Sequence, residues 1–168
     1  MKKIGLFLCF VVVVLTFASC NSVSRPLLDY QNGLASVSAR IETGGAEYAV
    51  EIFYNENGAS LEIKEPENIG GVTFSRENGA FFASSGDMKI PLSPELFSKV
   101  EPILDAFLLS PDNIASITKD ESGNTVYSVS ADDGVYTLFI TPEGKPSSIA
   151  YEGERTFTVS DIVLKKMS

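Results

Sequence analysis

Tyr48-Ala-Val-Glu-Ile-Phe-Tyr-Asn-Glu-Asn-Gly-Ala-Ser-Leu-Glu-Ile-Lys64 decides the fold. Tyr48, Val50, Ile52 and Tyr54 alternate with Ala49, Glu51 and Phe53. Leu61 and Ile63 then alternate with Glu62 and Lys64. A period of two places successive side chains on opposite faces, which is the pattern of a strand and not of a helix. Asn57-Gly58 stands between the two runs. The type I′ two-residue hairpin turn needs positive φ at both central positions, and Asn-Gly meets that need most readily. The stretch therefore predicts two neighbouring antiparallel strands.

The same pattern extends in both directions. Upstream, Val37, Ala39 and Ile41 alternate with Ser38, Arg40 and Glu42, and Gly44-Gly45 separates them from the quoted stretch. Downstream, Pro66 to Gly71 interrupts the pattern. Val72 and Phe74 resume it, Asn78-Gly79 gives a second hairpin signal, and Phe81-Phe82 follow. Ile90-Pro91-Leu92 closes this half.

A helical segment is expected next, over about 93–109. Ser93 can cap it by accepting a hydrogen bond from an early backbone N–H. Pro94 suits the first helical position, where its missing N–H costs nothing. Glu95 suits the positive end of the helix dipole. Leu96, Val100, Ile103, Phe107 and Leu108 form an apolar stripe. Pro102 must kink the segment or divide it into 94–100 and 102–109. Ser110-Pro111 ends it.

Strand patterns then return over 114–119, 125–131, 135–141, 147–152 and 155–163, separated by Gly123-Asn124, Asp133-Gly134, Pro142-Glu-Gly144 and Gly153-Glu154. In Val135–Thr141 both faces carry apolar residues, so this strand is expected to be central and covered on both sides. Lys165-Lys166 reads as a solvated tail. The whole is a mainly β (α+β) chain of about nine to ten strands with one helical segment. Short gaps favour an antiparallel meander, since parallel units need a crossover helix each.

The N-terminus reads as a signal peptide, residues 1–19. Lys2 and Lys3 precede an uncharged apolar run, Ile4 to Phe17, and Ala18-Ser19-Cys20 follow. Such a run is shorter than the roughly 20 residues of a spanning helix. Residues 20–33 read as a tether, broken by Pro26 and Asn32-Gly33, from which Leu27, Leu28 and Tyr30 can already dock on the domain, and 34–164 as a single domain. Removing the first 19 of 168 residues leaves 149, enough for one core. It also removes two lysines and no acid, taking the net charge from −9 to −11. That acidity argues against nucleic acid, whose phosphates demand basic contacts, and against a polybasic grip on anionic lipid heads.

The chain has no histidine, no tryptophan and no cysteine after Cys20. Ser-His-Asp and Cys-His mechanisms lack their base, and zinc sites lack their usual ligands. Neither a metal nor a non-covalent cofactor is expected. Ser116-Ile-Thr-Lys119 has the Ser-x-x-Lys spacing of penicillin-binding enzymes, but on a strand it puts the two side chains on opposite faces. Asp120-Glu121 and Asp132-Asp133-Gly134 read as hairpin turns, since neither supplies the oxygen spacing of a calcium loop. A carboxylate-dependent hydrolase would need two acids converging in one cleft.

Two resemblances add to this reading. Residues 1–20 resemble bacterial lipoprotein signals, with Phe17 where leucine is usual. In that family the thiol, here that of Cys20, receives a diacylglyceryl group and the chain is cut before it. The alternatives are an ordinary secretory signal cut near Ser19 and an uncleaved anchor. The order of tether, strands, helical segment and strands resembles the LolA/LolB-like lipoprotein-carrier superfamily. Leu61-Glu-Ile-Lys-Glu-Pro66 followed by Ile69-Gly-Gly-Val-Thr-Phe74 is similar to a strand–loop–strand passage of its members.

The resemblance implies a single strongly curved sheet or half-barrel whose concave face is covered by the helical segment. It also implies a cavity for acyl chains, for which the candidate lining is Phe74, Phe82, Phe97, Val100, Leu104 and Phe107. The expected protein is a non-enzymatic, extracytoplasmic lipoprotein anchored to the membrane that binds a lipid or an envelope component. An interaction module with a filled core is the alternative. A void of several hundred cubic ångströms would favour the first, and interlocking side chains the second.

Overall fold

The computed structural model describes residues 29–167, so the signal region, Cys20 and most of the expected tether lie outside the described residues. Eleven strands form one sheet: β1 Leu34–Thr43, β2 Ala46–Asn55, β3 Gly58–Glu65, β4 Thr73–Glu77, β5 Ala80–Ser85, β6 Met88–Pro91, β7 Ile114–Lys119, β8 Thr125–Ala131, β9 Gly134–Ile140, β10 Pro146–Gly153 and β11 Thr156–Lys166. Their order across the sheet is β6-β5-β4-β3-β2-β1-β11-β10-β9-β8-β7, antiparallel throughout. Chain neighbours are sheet neighbours except across the β1–β11 seam and the β6-to-β7 connection. The two halves of the chain are thus two meanders joined by their longest strands. The count exceeds the expected nine or ten because Met88–Pro91 forms a short strand of its own.

The sheet is an open half-barrel with β6 and β7 as its free edges. Its curvature follows from the contacts. Phe81 of β5 stacks on Phe97, with ring centroids 4.3 Å apart. The Tyr136 hydroxyl of β9 donates to the Pro102 carbonyl at 2.8 Å. In a flat sheet β5 and β9, seven strand spacings apart, would lie about 34 Å from one another. Phe97 and Pro102 are five residues apart, so the sheet must curl around them.

The helical segment is divided, as Pro102 requires, but more tightly than expected: α1 is Pro94–Phe97 and α2 is Glu101–Asp105. Ser93 caps α1 through its hydroxyl, which accepts from the Leu96 N–H at 3.4 Å. Pro102 falls in the first turn of α2, where no intrahelical donor is missed. Both helices are too short to stand alone. Side chains from elsewhere in the domain hold them: Tyr54 donates to the Leu104 carbonyl at 2.9 Å, and Gln31 to the Leu109 carbonyl at 3.3 Å. These bonds satisfy carbonyls that a short helix leaves open.

Three local expectations are corrected. Residues 165–166 are no tail: Ser36 pairs with Lys165 and Leu34 with Lys166, because backbone pairing is indifferent to the exposed charge. At the other end the boundary expected at residue 34 moves back, because Tyr30, named above as able to dock from the tether, is buried in the core. β9 is flanked on both sides, but only Tyr136, Leu138 and Ile140 are buried, while Val135 is exposed and Phe139 half-buried. The helical segment covers one face of the sheet only.

Candidate functional site

Alternation and register bring one set of side chains to the concave face. Ile41 faces Tyr48, Val50 faces Ile63, and Leu61 faces Phe74 across β1 to β4. The helical segment crosses this row from above. Toward the C-terminal end of β2, Tyr54 and the Leu104 carbonyl bring sheet and helix into contact, and Ile52, Leu104 and Phe107 are fully buried. Toward the opposite end the packing stops short. Ile41, Tyr48, Val50, Leu61, Ile63 and Phe74 below, and Val100 and Ile103 above, enclose a recess of about 170 Å³. Thr43, Lys99 between the two helices and Arg155 in the β10–β11 turn complete its lining, and it opens to solvent.

The expected lining residues divide accordingly. Phe74 and Val100 line the recess. Phe97, Leu104 and Phe107 have no exposed surface and belong to the filled core. Phe82 lies on the convex face, with the Lys89 ammonium 4.2 Å from its ring centroid. Its neighbour Phe81 takes the inner place, against Phe97. Adjacent strand residues point to opposite faces, so only one of the two phenylalanines can point inward. Cys20 lies outside the described residues. Ile103, Ile63 and the cations Lys99 and Arg155 were not singled out from sequence. Strand parity marks Ile63 as inward, but nothing local marks the two cations.

Four other depressions are larger than the recess, and the two largest have other chemistry. A cleft of about 540 Å³ between α2 and the β8–β9 hairpin is lined by Glu101, Asp105, Asp132, Asp133, Leu109 and Tyr136, among others. Three of its acids are engaged in the fold. Arg76 bridges Glu101 at 2.9 Å and Asp105 at 2.7 Å, and the Tyr151 hydroxyl donates to Asp133 at 2.8 Å. Burial, reinforced by that bond, pushes the Tyr151 phenol up to about 12. Tyr151 also lies over the paired glycines Gly134 and Gly153; a Cβ on either would come within 2.7 Å of its ring or hydroxyl. A slot of about 560 Å³ opens where β10 and β11 separate beyond the Ile149–Val159 pair, with Asp29, Glu143, Lys145 and Lys166 among its lining.

The remaining motifs are structural. Asp120 accepts from the backbone N–H groups of Ser122 and Asn124, both at 2.9 Å, and from the Asn124 amide. The Asn124 amide and this turn hold its carboxyl below the usual range. Ser116 and Lys119 lie on edge strand β7, three positions apart and so on opposite faces. Among the described residues no group of three or more potential metal ligands converges, and no helix is long and apolar enough to cross a membrane.

No protein-family model and no curated protein matches the chain. Solved structures align along most of its length. An uncharacterized conserved protein from Thermus thermophilus aligns at 10% identity and a TM-score of 0.46, over 86% of this chain and 89% of its own. The Mycobacterium tuberculosis lipoprotein LppX aligns at 13% identity and a TM-score of 0.43, over 84% and 90%. A LolA superfamily protein from Nitrosomonas europaea aligns at 11% identity and a TM-score of 0.37, over 86% and 94%. At these identities and scores, the chemistry of the site rests on this chain's own residues.

Proposed function

We propose that this protein is a non-enzymatic binder of a hydrophobic ligand, held at the outer face of a membrane by a lipid on Cys20. The observation that carries the binding role is the recess between β1–β4 and the helical segment, where eight apolar or aromatic side chains enclose a space left unfilled. Burying apolar surface there is favourable at about 25 cal/mol per Å². At about 170 Å³ the recess falls short of the several hundred cubic ångströms expected above and of the usual 300–1,000 Å³ of a small-molecule pocket, and Phe97, Leu104 and Phe107 interlock in the filled core. The recess suits one apolar moiety, such as the end of an acyl chain, rather than a whole lipid. The anchoring rests on Lys2, Lys3, the apolar run and Ala18-Ser19-Cys20.

Native mass spectrometry of the protein purified from its host tests the binding role. Co-purified lipid or fatty acid, released on denaturation, is the expected result. Its repeated absence would favour a second reading, an interaction module of the cell envelope. That reading draws on the fully buried Phe97, Leu104 and Phe107 and on the two free sheet edges.

A further inference from the structure

The recess differs from the rest of the surface in the sign of its charge. The protein is acidic, with 22 acids against 13 bases. Five of its ten described cations are ion-paired. Arg40 pairs with Asp161, Lys64 with Glu62, Arg76 with Glu101 and Asp105, Lys89 with Glu77, and Lys165 with Glu51. Of the five without an ion pair among the described residues, Lys119, Lys145 and Lys166 line depressions that also hold Asp29 or Glu143, whereas Lys99 and Arg155 both line the recess. No carboxylate lines it. They come from distant parts of the chain, one between α1 and α2 and one in the β10–β11 turn. Two unpaired cations above an apolar floor complement an anion on an apolar body.

We infer that the recess takes an anionic single-chain amphiphile, the chain end nearest its head seated against Ile63, Phe74, Val100 and Ile103 and the carboxylate held by Lys99 and Arg155. The inference rests on the binding role proposed above and adds the sign of the head group. Arg155 offers a planar fork that matches a carboxylate, and Lys99 a mobile point charge. Both are exposed, so each contributes modestly and salt weakens the contribution. The volume sets the scale of the seated portion. A space of about 170 Å³ corresponds to roughly six water volumes. A medium-length chain therefore suffices as a probe.

The test is an NMR titration of the purified protein with octanoate and, separately, with the neutral isostere 1-octanol, following the methyl signals of Ile63, Val100 and Ile103. Octanoate is expected to bind about fivefold more tightly than octanol at low salt. The K99Q/R155Q double variant is expected to lose that preference while binding octanol as before. Both changed side chains are exposed, so folding is unaffected. Equal binding of the two compounds, or an undiminished preference in the double variant, would overturn the head-group assignment and leave the apolar binding role standing. Binding of neither compound would overturn both. Concentration-dependent shifts of the same signals without added compound would mean that a second copy fills the recess, and would also overturn the assignment.

Discussion

The two ends of the concave face are built from the same strands and differ in how far the helical segment reaches them. At one end Val37 and Ile52 form a buried pair across β1 and β2, continued on β3 by Leu61 at the border of the recess, and Tyr54 ties this end to the segment above. At the other end Tyr48, Ile63 and Phe74 are only partly buried, although their sequence environment is equally apolar. The difference lies in the pins. Tyr54, Arg76, Tyr136 and Gln31 all grip residues 101–109. None grips Lys99 or Val100. Phe97 packs on Phe81 before the Pro102 break and Leu104 is buried after it, so Val100 and Ile103, between these contacts, are left facing open space.

The largest expected contrast comes from truncating a side chain at each end. Phe107→Ala removes a fully buried ring and should cost about 3–5 kcal/mol in chemical denaturation. Val100→Ala, already facing open space, should cost only about 0.5–1 kcal/mol. Comparable costs at the two positions would show that the ends do not differ.

High pH should also destabilise the fold. Burial raises the phenols of Tyr54, Tyr136 and Tyr151 above the usual value. For an acid whose folded pKa is raised, the stabilisation is complete below the unfolded pKa, near 10, and is lost as pH climbs toward the folded value. The urea midpoint should therefore be level up to about pH 10 and fall from there toward pH 12. Tyr151→Phe should remove part of that fall. A midpoint that is flat across this window would contradict the burial of these hydroxyls.

Arg76→Met probes the pins directly. It removes two charge-assisted bonds from α2 and leaves Glu101 and Asp105 unpaired, at a cost of about 1–2 kcal/mol for a partly exposed group. Amide exchange in α2 should quicken while the recess keeps its apolar lining. Unchanged exchange in α2 would show that the pin does not hold the helix.

The sequence made some of this legible and hid the rest for definable reasons. Asn78-Gly79 forms the expected turn, with φ of 50° and 80°. Asn57-Gly58 does not: the turn centres one residue earlier, and Gly58 pairs with Asn55 as the first residue of β3. That glycine is required by a neighbour instead, because a Cβ would lie 1.7 Å from the Arg76 carbonyl oxygen on β4. Asp133-Gly134 shifts in the same way, with Gly134 opening β9 beneath Tyr151. A local rule cannot tell a glycine needed for its own φ from one needed for a partner strand's approach.

The alternating strands, the Ser93 cap and the Pro102 break were readable because each depends on a few adjacent residues. Phe81 and Phe82 were not separable, since parity near a turn depends on where pairing begins. The meeting of Lys99 and Arg155 depends on the β1–β11 seam, which brings the β10–β11 turn beside the helices. A pairing between residues more than a hundred positions apart leaves no periodic trace.

Whether the open end of the concave face receives an apolar group can be measured directly. The chain contains no tryptophan, so Val100→Trp both fills the recess and supplies a single reporter. Titration with the neutral probe N-phenyl-1-naphthylamine should give saturable fluorescence enhancement with the wild-type protein. Val100→Trp should weaken that binding at least about tenfold, equivalent to about 1.4 kcal/mol, with little change in stability. No saturable binding to the wild type, or equal binding to the filled variant, would contradict a recess that binds apolar groups.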